Sequence, residues 1–255
     1  MTLVMARLAV LLNSIDAGLA NAAEAEHAIR GHVHLVLDEH ELLGVGQSPT
    51  LRIAMARLDR LSAHHPGWQL ALVAPGRLGG LRGPAALSRT ALAEVPEPEV
   101  GAAPVVVRHD GAVALVAGQA VPDEEQLDDE LVTLRVLSAE RPLSPPTPTE
   151  AARALAQAMA AATTTLATTG LTAGGRPDPA ATVALGQAYG AANQSLLDQA
   201  MTVLAILAAA QQGETDLPHS HAITTRAAQL APLRTAAWDA LQAAVSWPMH
   251  LMQER

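Results

Sequence analysis

A loop rich in glycine and arginine is the segment whose residue types could do chemistry most directly. It runs from Pro75 to Pro84, after a run with strand periodicity and before a run with helical periodicity. Backbone amides in such a strand–loop–helix arrangement can bind an anion, and arginine forks suit phosphate or carboxylate. The pattern predicts binding of an anionic or phosphorylated ligand through six residues: Gly76, Arg77, Gly79, Gly80, Arg82 and Gly83.

The same loop has a simpler interpretation without a ligand. Its spacing matches neither the dinucleotide fingerprint nor the phosphate loop that ends in Gly-Lys-Ser/Thr. Glycines also allow tight turns, because they adopt positive φ angles at little cost. We therefore hold ligand binding here as the alternative function rather than the first.

Two histidines form the best, though weak, candidate for a metal site. His32 and His34 lie on one side of an expected strand, with Asp38 and His40 following. Imidazole and carboxylate groups bind transition metals, but one strand seldom supplies a full coordination shell. A polar strand face explains the alternation more simply, so we predict no metal and no cofactor.

The sequence contains no motif that is typical of covalent catalysis. It contains no cysteine, and no serine lies in the Gly-x-Ser-x-Gly elbow of α/β-hydrolases. We therefore predict no catalytic residue and favour a protein that is not an enzyme.

The elements that position these residues follow from periodicity in the first 140 residues. Apolar spacing predicts one long helix from Val4 to about Gly31. Period-two patterns predict strands at 32–38 and 68–73, and Asp110-Gly111 predicts a tight hairpin between 103–108 and 112–117. Further helices are expected after Ser48-Pro49, after Pro84 and over 122–140, where three carboxylates open the segment.

Beyond residue 140 the pattern changes to helices alone. Arg141–Thr149 contains four prolines, and Thr147 to Glu150 fits a capping box that opens a helix. Helices are predicted at 148–169, 179–211 and 220–247, the last kinked or split by Pro232. The predicted fold is α+β: a small antiparallel or mixed sheet with helices in domain 1–140, a proline-rich linker at 141–149, and a three-helix antiparallel bundle in domain 150–255.

Composition excludes several classes of function. The net charge of −9 argues against nucleic-acid binding, and the longest apolar run is too short to span a membrane. The absence of cysteine suits a reducing compartment, so we predict a cytoplasmic protein. All basic residues are arginines and phenylalanine is absent, which is typical of a GC-rich genome.

The loop and the closing helices together resemble a known group of proteins. The stretch Val73-Ala-Pro-Gly-Arg-Leu-Gly-Gly-Leu-Arg-Gly-Pro84, with the helical segments Val203–Ala209 and Arg226–Leu241, is similar to uncharacterised proteins of high-GC bacteria. Those proteins tend to carry aspartate where this chain has Arg77. The resemblance implies Ala-rich C-terminal helices and lends no activity or catalytic residue.

These expectations lead to one functional hypothesis and one rival. The first is a non-enzymatic assembly protein whose C-terminal bundle binds a protein partner or a second copy of the chain. The rival is a small-molecule-binding protein or enzyme that uses the Gly76–Gly83 loop.

Overall fold

The computed structural model describes residues 1–61, 67–96, 101–119, 131–169, 183–212 and 220–253. Within these ranges the chain combines helices with a five-stranded mixed sheet, which confirms the predicted α+β class. The helices are α1 (Thr2–Asp16), α2 (Ala22–Ile29), α3 (Leu51–Leu61), α4 (Ala85–Ala93), α5 (Pro148–Thr169), α6 (Ala191–Gln212), α7 (Ser220–Ser246) and α8 (Met249–Gln253). The strands are β1 (Val33–Leu37), β2 (Trp68–Val73), β3 (Ala103–Arg108), β4 (Ala112–Gln119) and β5 (Val132–Ala139).

The opening segment forms two helices, so the prediction of a single helix was wrong. Gly18 has a φ of +69° just after α1, a conformation that glycine adopts without strain. Asn21 then caps α2, and a reciprocal capping box links its side chain and backbone to Glu24. The apolar spacing continues across this break and does not reveal it.

The sheet has the strand order β1-β5-β4-β3-β2. β1 and β5 run parallel, and the remaining neighbours are antiparallel. The predicted hairpin is confirmed: β3 and β4 flank Asp110 and Gly111, and Gly111 has a φ of +90°. The strands predicted at 32–38 and 68–73 are confirmed as well, the first as the slightly shorter β1.

The last strand replaces part of a predicted helix. Residues 132–139 form β5, so the helix expected over 122–140 was wrong there, and residues 120–130 lie outside the described ranges. Val132, Leu134 and Val136 alternate with less buried residues, which is a strand pattern. The acidic residues upstream suggested a helix start and outweighed that alternation.

Helix α4 covers one face of the sheet. Its Leu87 and Ala91 join a buried cluster with side chains of β2, β3 and β4, including Val73, Val105 and Val116. Because all residues of β2 and β3 are buried, the opposite face must be covered too, and α1 contacts both strands. The glycine–arginine loop connects β2 to α4 and therefore lies at the rim of this core.

The C-terminal half contains helices and no strand among its described residues, and it differs from the predicted pattern in two places. Helix α6 begins at Ala191, not 179, because 183–190 is non-helical and Gly186 has a φ of +71°. Residues 179–182 lie outside the described ranges. Pro232 lies inside α7, which continues past it unsplit.

The chain divides into two compact units. The first, called the sheet unit, consists of Met1–Pro145, Leu185–Gly190 and Val245–Arg255. The second, called the helical unit, consists of Pro146–Ala184 and Ala191–Ala244. Two short segments from the C-terminal half thus belong to the sheet unit.

Candidate functional site

The glycine–arginine loop begins with a tight turn. Ala74 and Arg77 exchange two backbone hydrogen bonds of 2.8 Å each, so Pro75 and Gly76 lie at the tip. Proline with glycine at a φ of +78° is the usual composition of such a tip. The guanidinium of Arg77 folds back and donates to the Leu72 carbonyl at 3.2 Å. The first two predicted ligand residues therefore have a structural role.

The other three glycines let the loop lie close to its neighbours. A Cβ on Gly79 would come within 2.6 Å of the Leu72 carbonyl oxygen. The carbonyl groups of Gly80 and Gly83 accept from the N–H groups of Leu143 and Glu140 at 2.8 and 2.9 Å. These contacts explain the density of glycine in the absence of any ligand.

The charges at the loop are mixed. Arg82 is exposed and forms no hydrogen bond or ion pair with a described residue. The carboxylate of Glu140 lies against Gly83, where a Cβ would be 2.8 Å from its Oε1 atom. An anion at this loop would therefore gain most from Arg82 and would be repelled by Glu140. Ligand binding by these six residues stays a prediction.

The candidate metal ligands are placed at the start of β1. His32 lies in the turn before the strand, and its carbonyl accepts from the Val132 N–H at 2.9 Å. His34 is exposed at a register shift between Val33 and Leu35. The buried carboxylate of Asp38 accepts from the N–H groups of Leu42 and Leu43 at 2.8 and 2.7 Å. Among the described residues, no three His, Asp or Glu side chains gather to hold a metal ion.

Sequence reasoning missed a buried polar cluster around Asn13. The side-chain oxygen of Asn13 accepts from the Trp68 N–H at 2.7 Å, and its Nδ2 donates to the Trp68 carbonyl at 2.9 Å. The same amide nitrogen donates to the Tyr189 hydroxyl at 2.8 Å. An asparagine in the middle of an apolar helix is the one signal that could have indicated this cluster.

Tyr189 completes the cluster from the short segment 185–190. Its hydroxyl donates to the Val245 carbonyl at 2.7 Å. Burial raises the pKa of this phenol, the Asn13 hydrogen bond lowers it, and the charge of Asp16 raises it further. A phenol that is held neutral and hydrogen-bonded on both sides joins segments of the sheet unit and is poorly suited to proton transfer.

The β3–β4 hairpin carries a second group of polar contacts. The guanidinium of Arg108 forms a two-point ion pair with Asp110 and donates to the Leu61 carbonyl at 2.6 Å. The ring of His109 lies 6.0 Å from that of Trp247, and its Nε2 is 3.4 Å from the Ser246 carbonyl oxygen. These contacts hold the hairpin against the last segment of the sheet unit.

The exposed surface of α5 and α6 is nearly free of charge. Apart from Glu150 and Arg153 near the start of α5, every exposed residue that the structure describes on these two helices is uncharged. Along α6 an exposed line with spacings of three and four consists of Ala192, Ser195, Gln199, Thr202 and Ile206. Ile206 is 47% exposed. A solvated helix face usually carries charged residues, so the composition of this face is unusual for a solvated helix.

No described helix is both long enough and apolar enough to cross a membrane. Comparison of the chain with known protein families, with curated proteins and with solved structures finds no match.

Proposed function

We propose that the protein is a non-enzymatic assembly protein that uses its C-terminal helices, arranged as a three-helix bundle, to bind another protein. The observation that carries this proposal is the exposed face of α5 and α6, which is uncharged beyond the first turns of α5. Burying uncharged small side chains costs little desolvation, whereas burying charges costs several kcal/mol each (order of magnitude).

A second copy of the chain is the partner that this face fits best. Alanine, serine and threonine let two helices approach closely, and such a face is complementary to itself. Ile206 is the large apolar residue at the end of this line, and it is the side chain that would gain most from burial in the contact.

The packing within the helical unit supports the same proposal. Helix α6 faces α5 on one side, where the Gln199 amide lies 3.6 Å from the Met159 sulfur, and the Asn193 amide donates to the Ala244 carbonyl of α7 at 3.0 Å. Leu196, Ala200 and Val203 of α6 are buried. The exposed line of α6 is therefore supported by buried residues on the same helix.

Substitution of Ile206 by glutamate tests the proposal. We expect the wild-type chain to self-associate in analytical ultracentrifugation, and I206E to weaken that association by about tenfold or more because it buries a charge. The matched control is I53E, since Ile53 on α3 is 44% exposed and lies in the sheet unit. A monomeric wild-type chain that also retains no protein in a pull-down would contradict the proposal.

Ligand binding at the Gly76–Gly83 loop is the alternative function, and the exposed Arg82 is the observation that favours it. A thermal-shift screen with nucleotides and sugar phosphates tests it. Arg82→Ala should abolish any shift, while Arg89→Ala on α4 should not. Equal shifts in both variants and the wild type would exclude the loop as the binding site.

A further inference from the structure

A small cleft lies beside the parallel pair of strands in the sheet unit. It has a volume of about 50 Å³ and is lined by Leu37, Glu39, Thr90, Arg135, Val136 and Leu137. A cavity needs at least roughly 10–15 Å³ to hold one water molecule, so this cleft has room for a group of a few heavy atoms. That is the size of the charged head of an amino acid.

The three polar side chains of the cleft have no partners among the described residues. The Nε atom of Arg135 is buried and makes no hydrogen bond with a described residue. Neither the Thr90 hydroxyl nor the Glu39 carboxylate forms a hydrogen bond or ion pair with any part of the chain that the structure describes. A buried N–H without an acceptor is unfavourable, and an acceptor placed against it would offset that cost.

The two charges of the cleft are opposite and are not paired with each other. Arg135 comes from β5 and Glu39 from the turn after β1, and both line the same opening. A ligand with one charge would meet attraction from one group and repulsion from the other. A ligand with both charges would satisfy both.

We propose that this cleft binds the head group of a free α-amino acid. The ligand carboxylate accepts from the guanidinium of Arg135 and from the Thr90 hydroxyl, and the ligand ammonium group pairs with Glu39. Arginine suits the carboxylate because its fork donates two parallel hydrogen bonds. Leu37 and Leu137 supply apolar contacts for a small side chain.

Titration of the full chain, followed by amide NMR signals, tests the proposal with three probes: L-alanine, acetate and ethylamine. We expect alanine to bind about tenfold or more tightly than either singly charged probe, because only alanine engages both charged groups. Equal affinity for alanine and acetate would overturn the proposal. Unchanged amide signals of β1 and β5 on addition of alanine would also overturn it, because they would show that the cleft binds no amino acid.

Substitutions assign the two contacts separately. Arg135→Gln should weaken alanine and acetate by about tenfold, and Glu39→Gln should weaken alanine while leaving acetate unchanged. Arg89→Gln and Glu41→Gln are matched controls, since both side chains are exposed nearby in the sequence and neither lines the cleft. Unchanged alanine binding in folded R135Q would overturn the assignment. If R135Q does not fold, Thr90→Val replaces it, and alanine binding equal to wild type would then overturn the proposal.

Discussion

At the scale of single residues, Tyr189 gives the clearest link between burial and a measurable property. Below the ordinary tyrosine pKa of about 10, the phenol is neutral in the folded and the unfolded chain alike. Above it, the unfolded chain releases the proton while the buried phenol keeps it, because burial raises its pKa. The unfolded state then binds fewer protons, so the free energy of unfolding falls as the pH rises above about 10.

This pH dependence can be followed directly, since Tyr189 is the only tyrosine of the chain. We expect the absorbance of tyrosinate to appear only together with loss of the circular dichroism signal, in one cooperative step. In Tyr189→Phe the free energy of unfolding should fall less steeply above about pH 10, because the phenol proton is no longer involved. Formation of tyrosinate in a chain that is still folded would contradict the buried environment described for this residue.

Gly79 and Gly76 allow steric packing to be separated from backbone strain. Both have positive φ angles, +59° and +78°, but only at Gly79 would a Cβ meet another atom, the Leu72 carbonyl oxygen. We expect Gly76→Ala to lower the free energy of unfolding by about 1–2 kcal/mol through strain alone. Gly79→Ala should cost at least about 1 kcal/mol more, because a strand backbone cannot move aside easily. Urea denaturation measures both, and equal costs would contradict the close contact.

Residue types alone were enough to place the glycine–arginine loop between a strand and a helix. They did not show which neighbours its glycines contact. The glycines were visible in the sequence, yet their partners, Leu72 and the residues 140–143, depend on tertiary structure. The cleft around Arg135 could not be predicted, because Glu39, Thr90 and Arg135 are brought together from distant parts of the sequence. Local patterns carry no information about such pairs.

At the scale of elements, β2 is an edge strand whose outer backbone groups are covered by side chains. Asn13 pairs with both backbone groups of Trp68, the Ser246 hydroxyl accepts from the Leu70 N–H at 3.1 Å, and Arg77 donates to the Leu72 carbonyl. Unpaired groups along a sheet edge invite pairing with other chains. The side chains therefore close this edge without another strand.

Removal of one of these contacts should weaken the edge measurably. Ser246→Ala leaves the buried Leu70 N–H without its acceptor, and we expect a loss of about 1–3 kcal/mol in the free energy of unfolding. Ser14→Ala is the matched control, because the Ser14 hydroxyl only donates to the Val10 carbonyl within α1. Hydrogen exchange at Leu70 should rise in S246A and stay unchanged in S14A. Unchanged exchange in S246A would show that the hydroxyl does not protect the edge.

The elements that local chemistry controls were predicted well. Asp110-Gly111 defines the hairpin because its turn needs positive φ, and Thr147 with Glu150 opens α5 through a capping box. β5 was missed because the acidic residues before it resemble a helix start, although its own alternation is that of a strand. The start of α6 was missed because Leu185, Tyr189 and Ala192 keep the three-four apolar spacing of a helix, although Tyr189 is held by Asn13 in a non-helical segment.

At the scale of the whole molecule, the sheet unit depends on segments far along the chain. The segment 185–190 contributes Tyr189, and the Ala188 carbonyl accepts from the Met249 N–H at 2.8 Å. Trp247 is buried beside His109, and a Cβ on Gly67 would collide with the Leu251 side chain. The predicted linker at 141–149 divides the chain by composition, but the sheet unit is completed only by residues beyond it. The division into domains 1–140 and 150–255 stays a prediction.

Truncation of the full chain tests this dependence. A chain that ends at Ser246 lacks Trp247 and α8, and we expect its sheet unit to lose about 3–5 kcal/mol, the usual cost of removing a buried tryptophan side chain. A chain that ends at Gln253 keeps both and should match the full chain in denaturant. Hydrogen exchange separates the units: amides of β2 and β3 should lose protection in the shorter chain, because Trp247 and Leu251 lie against residues at the ends of these strands. Full protection of both strands in the chain ending at Ser246 would show that the sheet unit is stable without its C-terminal segment.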